Sequence, residues 1–225
     1  DAGSVAVLPP AEASHAVRVI RLRVGERVTL LDGAGYRADA EVCRVGKGRQ
    51  HELECRIVAR REIPLPRLRP VLYVAVPRDR QMSLVLRMAT ELGVWRIVPI
   101  LTRHGISRPE KEQKKPRWES ELIMAVKQSE NPFAPALSPV ADLETALASA
   151  PPLGIYGAVP DDGFGSTRAV LPAEEGEIGV WVGPEAGFSD AERMSFQEHG
   201  YSPVVVGRCV LRIETAVPAL LGWLY

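Results

Sequence analysis

Hydrophobic spacing changes period once along this chain, and the change falls on a stretch that suits neither helix nor central strand. Ile63-Pro64-Leu65-Pro66-Arg67-Leu68-Arg69-Pro70 places three prolines within seven positions. Proline lacks an N–H and fixes φ, so an extended spacer and a domain boundary are expected here. Upstream, residues 27–31, 36–42 and 51–58 alternate apolar and polar, the period of half-buried strands. Asp32-Gly33-Ala34-Gly35 and Gly46-Lys47-Gly48 are turn signals between them. A short helix over about 14–21, with Ser14 as N-cap, precedes the strands. Short strands with glycine turns predict a small β-barrel over residues 1–66.

From Val71 the pattern becomes strand and helix in alternation. Apolar β-branched runs at 71–76, 95–100, 154–158, 178–182 and 203–206 read as buried strands. Met82, Val85, Leu86, Ala89 and Leu92 recur at helical spacing and stop at Gly93, a C-terminal cap. Trp118, Leu122, Ala125, Val126 and Ser129 mark a second helix ending at Asn131-Pro132, and further helices are expected over 142–148 and 215–224. Repeated βα units imply an α/β domain over 70–225, a largely parallel sheet flanked by helices.

Hydrophobic content of 46% and charged content of 25% are those of a soluble globular chain, with no signal-peptide pattern and no apolar run of membrane-spanning length. Cys43, Cys55 and Cys209 form no C-x-x-C pair, so neither a zinc site nor a disulfide framework is expected, and a reducing cytoplasm fits. The four histidines are scattered and read as surface or core residues, not metal ligands. Residues 1–70 carry 13 Lys and Arg against 9 Asp and Glu, while the remainder carries 15 against 19. A mildly basic N-terminal module suits a nucleic-acid partner.

The chemistry concentrates in the last fifty residues. Val180-Trp-Val-Gly183-Pro184-Glu185-Ala186-Gly187-Phe188-Ser189 and Val204-Val-Val-Gly207-Arg208-Cys209-Val210-Leu211-Arg212-Ile213-Glu214-Thr215-Ala216 each read as a strand entering a glycine turn and then a helix. Ser189 with Glu192 forms a capping box, and Arg212 and Glu214 stand just past a strand end. Two such corners side by side in an α/β sheet are where ligands bind. No G-x-G-x-x-G follows the first strand, which argues against a dinucleotide dehydrogenase.

These two segments resemble the RsmE family of SPOUT-class RNA methyltransferases. The resemblance extends to Ala75-Val76-Pro77, to Ala89-Thr-Glu-Leu-Gly-Val94, and to Trp118 with Gln128-Ser129. The stretch from His15 to Gly33 is similar to the family's N-terminal PUA-like module. The family implies a C-terminal trefoil knot holding S-adenosylmethionine (SAM), and methylation of a uracil ring nitrogen, N3, in 16S ribosomal RNA of the small subunit by a homodimer. Carried over, Gly183, Glu185, Ala186 and Gly187 form one cofactor loop. Val206, Gly207, Val210, Leu211 and Thr215 form another, and a third follows the 154–158 strand.

The resemblance makes Arg212 the cation that stabilises the uracil anion, against an ion pair with Glu214 or Glu185. Glu185 is the proton acceptor or the residue that orients its loop. Arg18, Arg21, Arg23 and Arg27 are phosphate contacts or a solvated face, and the basic stretch 103–117, including Arg103 and Arg108, is a further RNA contact or a solvated loop. The chain departs from the family pattern at Met88, Asn131, Ala186 and Cys209. Three of these remove a cation, which motivates a non-catalytic RNA-binding or ribosome-assembly protein as the alternative.

Overall fold

The structure, a computed structural model, describes residues 2–46, 52–105, 115–160 and 175–225. The chain divides into two compact units, Asp1–Leu65 and Pro66–Tyr225.

The first unit holds strands β1 (Val5–Val7), β2 (Arg27–Leu31), β3 (Tyr36–Val45) and β4 (Leu53–Glu62), antiparallel in the order β1-β4-β3-β2. The alternation sets which side chains point inward. Leu53, Cys55 and Ile57 of β4 pack with Ala40 and Val42 of β3 and with Ala13 and Ala16. Burial pushes the Cys55 thiol up, with Cys43 adding to the effect. Asp32 closes the β2–β3 turn by accepting from the N–H groups of Ala34 at 2.7 Å and Tyr36 at 3.0 Å. β4 runs past its expected end, its ladder with β3 continuing to the Tyr36–Glu62 pair, and Arg60 lies over the Tyr36 ring, 3.9 Å from its centroid.

The helix of this unit starts earlier than expected. α1 (Pro10–His15) follows Pro9 and continues into a π-helical turn, Ala16–Ile20. Pro10 stands in the first helical turn, where a missing N–H leaves nothing unsatisfied and φ is already set. Ser14 is therefore inside the helix and caps nothing. Arg21 ends the segment in the left-handed region, φ 62, and Leu22 N–H donates to Ala16 O at 3.1 Å.

The second unit is a parallel sheet in the order β11-β9-β10-β5-β6-β7, with β8 also pairing β6. Its strands are β5 (Leu68–Ala75), β6 (Arg96–Leu101), β7 (Ala136–Leu137), β8 (Ala141–Asp142), β9 (Gly154–Gly157), β10 (Gly176–Val182) and β11 (Ser202–Val204). Its helices are α2 (Asp79–Glu91), α3 (Lys115–Ser129), α4 (Leu143–Ala148), α5 (Asp190–Glu198) and α6 (Ile213–Gly222). The expected spacer is shorter than residues 63–70, since β5 begins at Leu68 and takes in Pro70. Pro70 O accepts from Trp95 N–H at 2.8 Å, so the missing N–H faces the same side, where β6 begins only at Arg96.

Helices cover both faces. Met82, Val85, Leu86 and Ala89 of α2, Trp118 and Leu122 of α3, and Val217, Leu220 and Leu221 of α6 pack with Leu72, Val74, Val180 and Val182. On the other face α4 and Phe196 of α5 pack with Val71, Tyr73, Tyr156 and Trp181. Gly93 closes α2 at φ 71, letting Val94 N–H reach Ala89 O at 3.0 Å.

Candidate functional site

The strand order reverses direction between β5 and β10, and the loops on the β10 side form a cleft at the carboxyl ends of the strands. The cleft is open to solvent and spans about 500 Å³, a figure that includes its solvent-filled mouth. After β9 it is lined by Gly157, Ala158, Val159 and Pro160; after β10 by Gly183, Pro184, Glu185 and Gly187. Val206, Cys209, Val210 and Leu211 line it after β11, and Val182, Val204, Ala216 and Leu220 supply the inner wall.

The β10 loop gets its shape from two glycines. Gly187 N–H donates to Pro184 O at 2.8 Å, closing a turn with Glu185 and Ala186 at its exposed tip. In this loop Gly187 has a positive φ, 73, and Ala186 does not, so alanine there carries no backbone strain. Gly183 is needed for space: a Cβ would stand 3.1 Å from the buried Phe188 ring. Ser189 then starts α5 in a full capping box with Glu192. The loop after β6 is tied in as well: Arg103 N–H donates to Glu192 Oε1 at 2.8 Å. His104 Nδ1 lies 3.2 Å from Gly187 O; a carbonyl only accepts, so that nitrogen carries the proton.

Beneath the loop lies an aromatic layer. Trp181 stacks on Tyr73 at 3.8 Å between centroids, and Phe196 stands 4.8 Å from both Tyr156 and Phe188. Burial pushes the Tyr73 hydroxyl up to about 12, with Arg96 lowering it and Glu177 raising it. Burial also pushes Tyr201 up to about 12, Tyr73 adding to the effect. Tyr201 OH donates to Pro151 O at 2.5 Å.

Of the expected residues, Gly183, Glu185, Gly187, Val206, Val210 and Leu211 line the cleft. Ala186 and Gly207 (φ 80) stand exposed on its loops, and Thr215 belongs to the first turn of α6, donating its N–H to Arg212 O at 2.9 Å. Arg212 is the exposed N-cap residue of α6, following Leu211. Among the described residues it forms no ion pair with Glu214 or Glu185, and Glu214 instead accepts from Gln81 Nε2 at 3.5 Å. Arg18, Arg21, Arg23 and Arg27 are exposed around the first unit's helical segment, and Arg103 is exposed beside the β10 loop. Arg108 lies outside the described residues, as do Gly48 of the second turn and most of the basic stretch.

Ala216 and Leu220 are cleft residues that the sequence shows only as part of an apolar final helix. Val217, Leu220 and Leu221 of the same helix are buried within their own unit. Two departures from the family pattern have structural roles. Asn131 Nδ2 donates to Thr90 O at 2.9 Å while its Oδ1 accepts from Phe133 N–H at 2.9 Å, and Cys209 lines the cleft.

A parallel sheet with such a cleft, preceded by an antiparallel β unit, defines a two-part α/β protein with a ligand site at the carboxyl ends of its strands. Residues 64–225 match the RNA methyltransferase domain model, and 8–49 match the RNA methyltransferase PUA domain model. The ribosomal RNA small subunit methyltransferase E of Aquifex aeolicus is 30% identical over 98% of this chain and 93% of its own length. The enzyme of that name from Mycobacterium tuberculosis is 28% identical over 99% and 86%. Among solved structures, a Legionella pneumophila putative methyltransferase with bound SAM superposes with a TM-score of 0.87 at 26% identity, over 99% of this chain and 91% of its own. The SAM-bound Neisseria gonorrhoeae ribosomal RNA small subunit methyltransferase E gives 0.85 at 26%, over the same shares. The chain belongs to the ribosomal RNA small subunit methyltransferase E (RsmE) family. Relatives solved with the cofactor bound favour an enzyme over the non-catalytic alternative.

Proposed function

We propose that this protein transfers a methyl group from SAM to N3 of a uridine in 16S ribosomal RNA of the small subunit. The observation that carries the reading is the lining of the cleft. Its walls are valine, leucine, alanine and glycine backbone, and Glu185 is the one charged side chain among the described lining residues. An uncharged adenosine fits the apolar walls, and a sulfonium fits a site whose fixed charge is a carboxylate.

Gly183, Gly187 and Leu211 would hold the cofactor through backbone approach, with Val206, Val210 and Ala216 against the adenine. When bound, SAM supplies a methyl carbon that is already activated. The chain's own work is to align the uracil and assist loss of the N3 proton. Arg212, exposed at the start of α6, would stabilise charge developing at uracil O2 or O4, and Glu185 would accept the N3 proton or orient its loop.

RNA is gripped by phosphate contacts from Arg18, Arg21 and Arg23 of the module over residues 1–66, and from Arg103 and Arg108 of the catalytic domain over 70–225. The reading includes a cytoplasmic homodimer and the family's trefoil knot. The crossover that a knot would need, between β9 and β10, has its middle, 161–174, outside the described residues.

The test is transfer of labelled methyl from SAM to small subunits that lack the modification. Arg212→Ala is expected to lower transfer by about 100-fold or more while SAM Kd stays within about threefold. Unchanged turnover in that variant removes Arg212 from the chemistry, and no transfer by the wild type to any small-subunit RNA removes the substrate.

A further inference from the structure

We infer that Glu192 is a positioning residue for methyl transfer, acting through the backbone of Arg103; the inference rests on the methyltransferase reading above. Its carboxylate is buried, 9% exposed, and both oxygens are used. Oε2 accepts from Ser189 N–H at 2.7 Å and Ser189 Oγ–H at 2.9 Å, which completes the capping box of α5. Oε1 accepts from Arg103 N–H at 2.8 Å, 89 residues away in sequence. A capping box needs only the first set of contacts. The second fixes something else.

What it fixes is the loop after β6. Strands β6, β5 and β10 are parallel, so this loop leaves the sheet on the same edge as Gly183–Gly187. His104 Nδ1–H makes the neighbouring tie, to Gly187 O at 3.2 Å. Ties at two consecutive residues hold the Arg103 backbone against the loop that lines the cleft, and the exposed guanidinium starts from a fixed point. Positioning matters because a shift of about 1 Å in a reacting partner costs roughly 100-fold in rate.

Glutamine separates the two jobs of Glu192. It has one acceptor oxygen and one NH₂ donor, so it can serve Ser189 or Arg103 but not both, and two donors from Ser189 against one from Arg103 draw the oxygen to Ser189. In the full chain, Glu192→Gln is expected to leave SAM Kd within about threefold and to raise the KM for small-subunit RNA, or lower kcat, by about tenfold. Exchange of the Arg103 amide proton should rise by about tenfold in the same variant. Combined with Arg103→Ala it should add nothing to the loss that Arg103→Ala causes alone. Ser189→Ala, which weakens the cap and leaves the Arg103 tie, should lower Tm without changing RNA kinetics.

Each other outcome is decisive. If Ser189→Ala alters the RNA KM as Glu192→Gln does, or if the Arg103 and Glu192 losses multiply, Glu192 only caps a helix and the positioning role is overturned. Wild-type transfer with unchanged RNA kinetics in Glu192→Gln overturns it too, and leaves the uridine reading standing. Wild-type protein that binds SAM but methylates no small-subunit RNA, with Arg103 exchange still rising in Glu192→Gln, overturns the uridine reading and supports the tie.

Discussion

Along β5, β9 and β10, Leu72, Val74, Ile155, Val180 and Val182 point to one face of the sheet, while Val71, Tyr73, Tyr156 and Trp181 point to the other. One face is aliphatic and is covered by α2, α3 and α6; the other is largely aromatic and is covered by α4 and α5. Their relation to the cleft differs. Val182, Val204, Ala216 and Leu220 of the aliphatic layer form its inner wall, whereas among the described residues no ring of the aromatic layer lines it. The aromatic layer works one step back, with Phe188 against Gly183 and Phe196 beneath, supporting the loop that carries Glu185. Aliphatic groups line the cleft, and rings support the loop at its edge.

Substituting one residue on each face tests this division with the largest effect. Trp181→Ala removes a fully buried ring and should cost about 3–5 kcal/mol in urea unfolding, with SAM Kd within about threefold in the cold. Leu220→Ala should cost about 2–5 kcal/mol and also weaken SAM by about tenfold or more. Equal losses of affinity would erase the distinction.

Alkaline titration probes the aromatic face next. Tyr73 and Tyr201 are raised to about 12 in the folded state, so the folded chain holds protons that the unfolded chain releases near 10. Their contribution is complete below pH 10 and is lost as pH rises from 10 to about 12, on the order of 2–3 kcal/mol per hydroxyl. Stability curves of Tyr73→Phe and Tyr201→Phe should be flatter across that window.

A smaller effect is expected from Gly183→Ala, which places a Cβ 3.1 Å from Phe188 and should cost about 1–2 kcal/mol with a measurable loss of SAM affinity. Asp142→Ala sharpens the comparison from the other side. The Asp142 carboxylate accepts from Thr145 N–H at 2.7 Å at the start of α4, so its loss should cost about 1 kcal/mol of stability and leave SAM binding and methyl transfer unchanged.

Much of this was legible in residue order, for reasons that differ by element. β2 and the capping box of α5 follow from local chemistry alone, an alternation of five residues and a Ser–Glu pair three apart. β7 and β8 were not legible, because two residues each carry no period. Pro70 misled because a strand's tolerance for proline depends on which side faces a neighbour, and that is set by β6. At the site, the glycine turns announced the loops around Gly183 and Gly207, but Ala216 and Leu220 did not stand out. An apolar residue at helical spacing looks the same whether it meets a core or a ligand. The Arg103–Glu192 tie was equally hidden, since it joins a backbone amide to a residue whose sequence signature is already explained by capping.

The central pairing of β10 with β5 has a kinetic consequence. Arg67 reaches Glu175, 108 residues along the chain, at the start of that pairing. Closing so long a loop precedes any gain from the contacts it permits, so such pairings form late in refolding. The cleft takes its floor from the end of β10 and exists only after that step. SAM present during refolding should therefore be captured in the slowest phase, and by binding only the finished sheet it would hold the chain there.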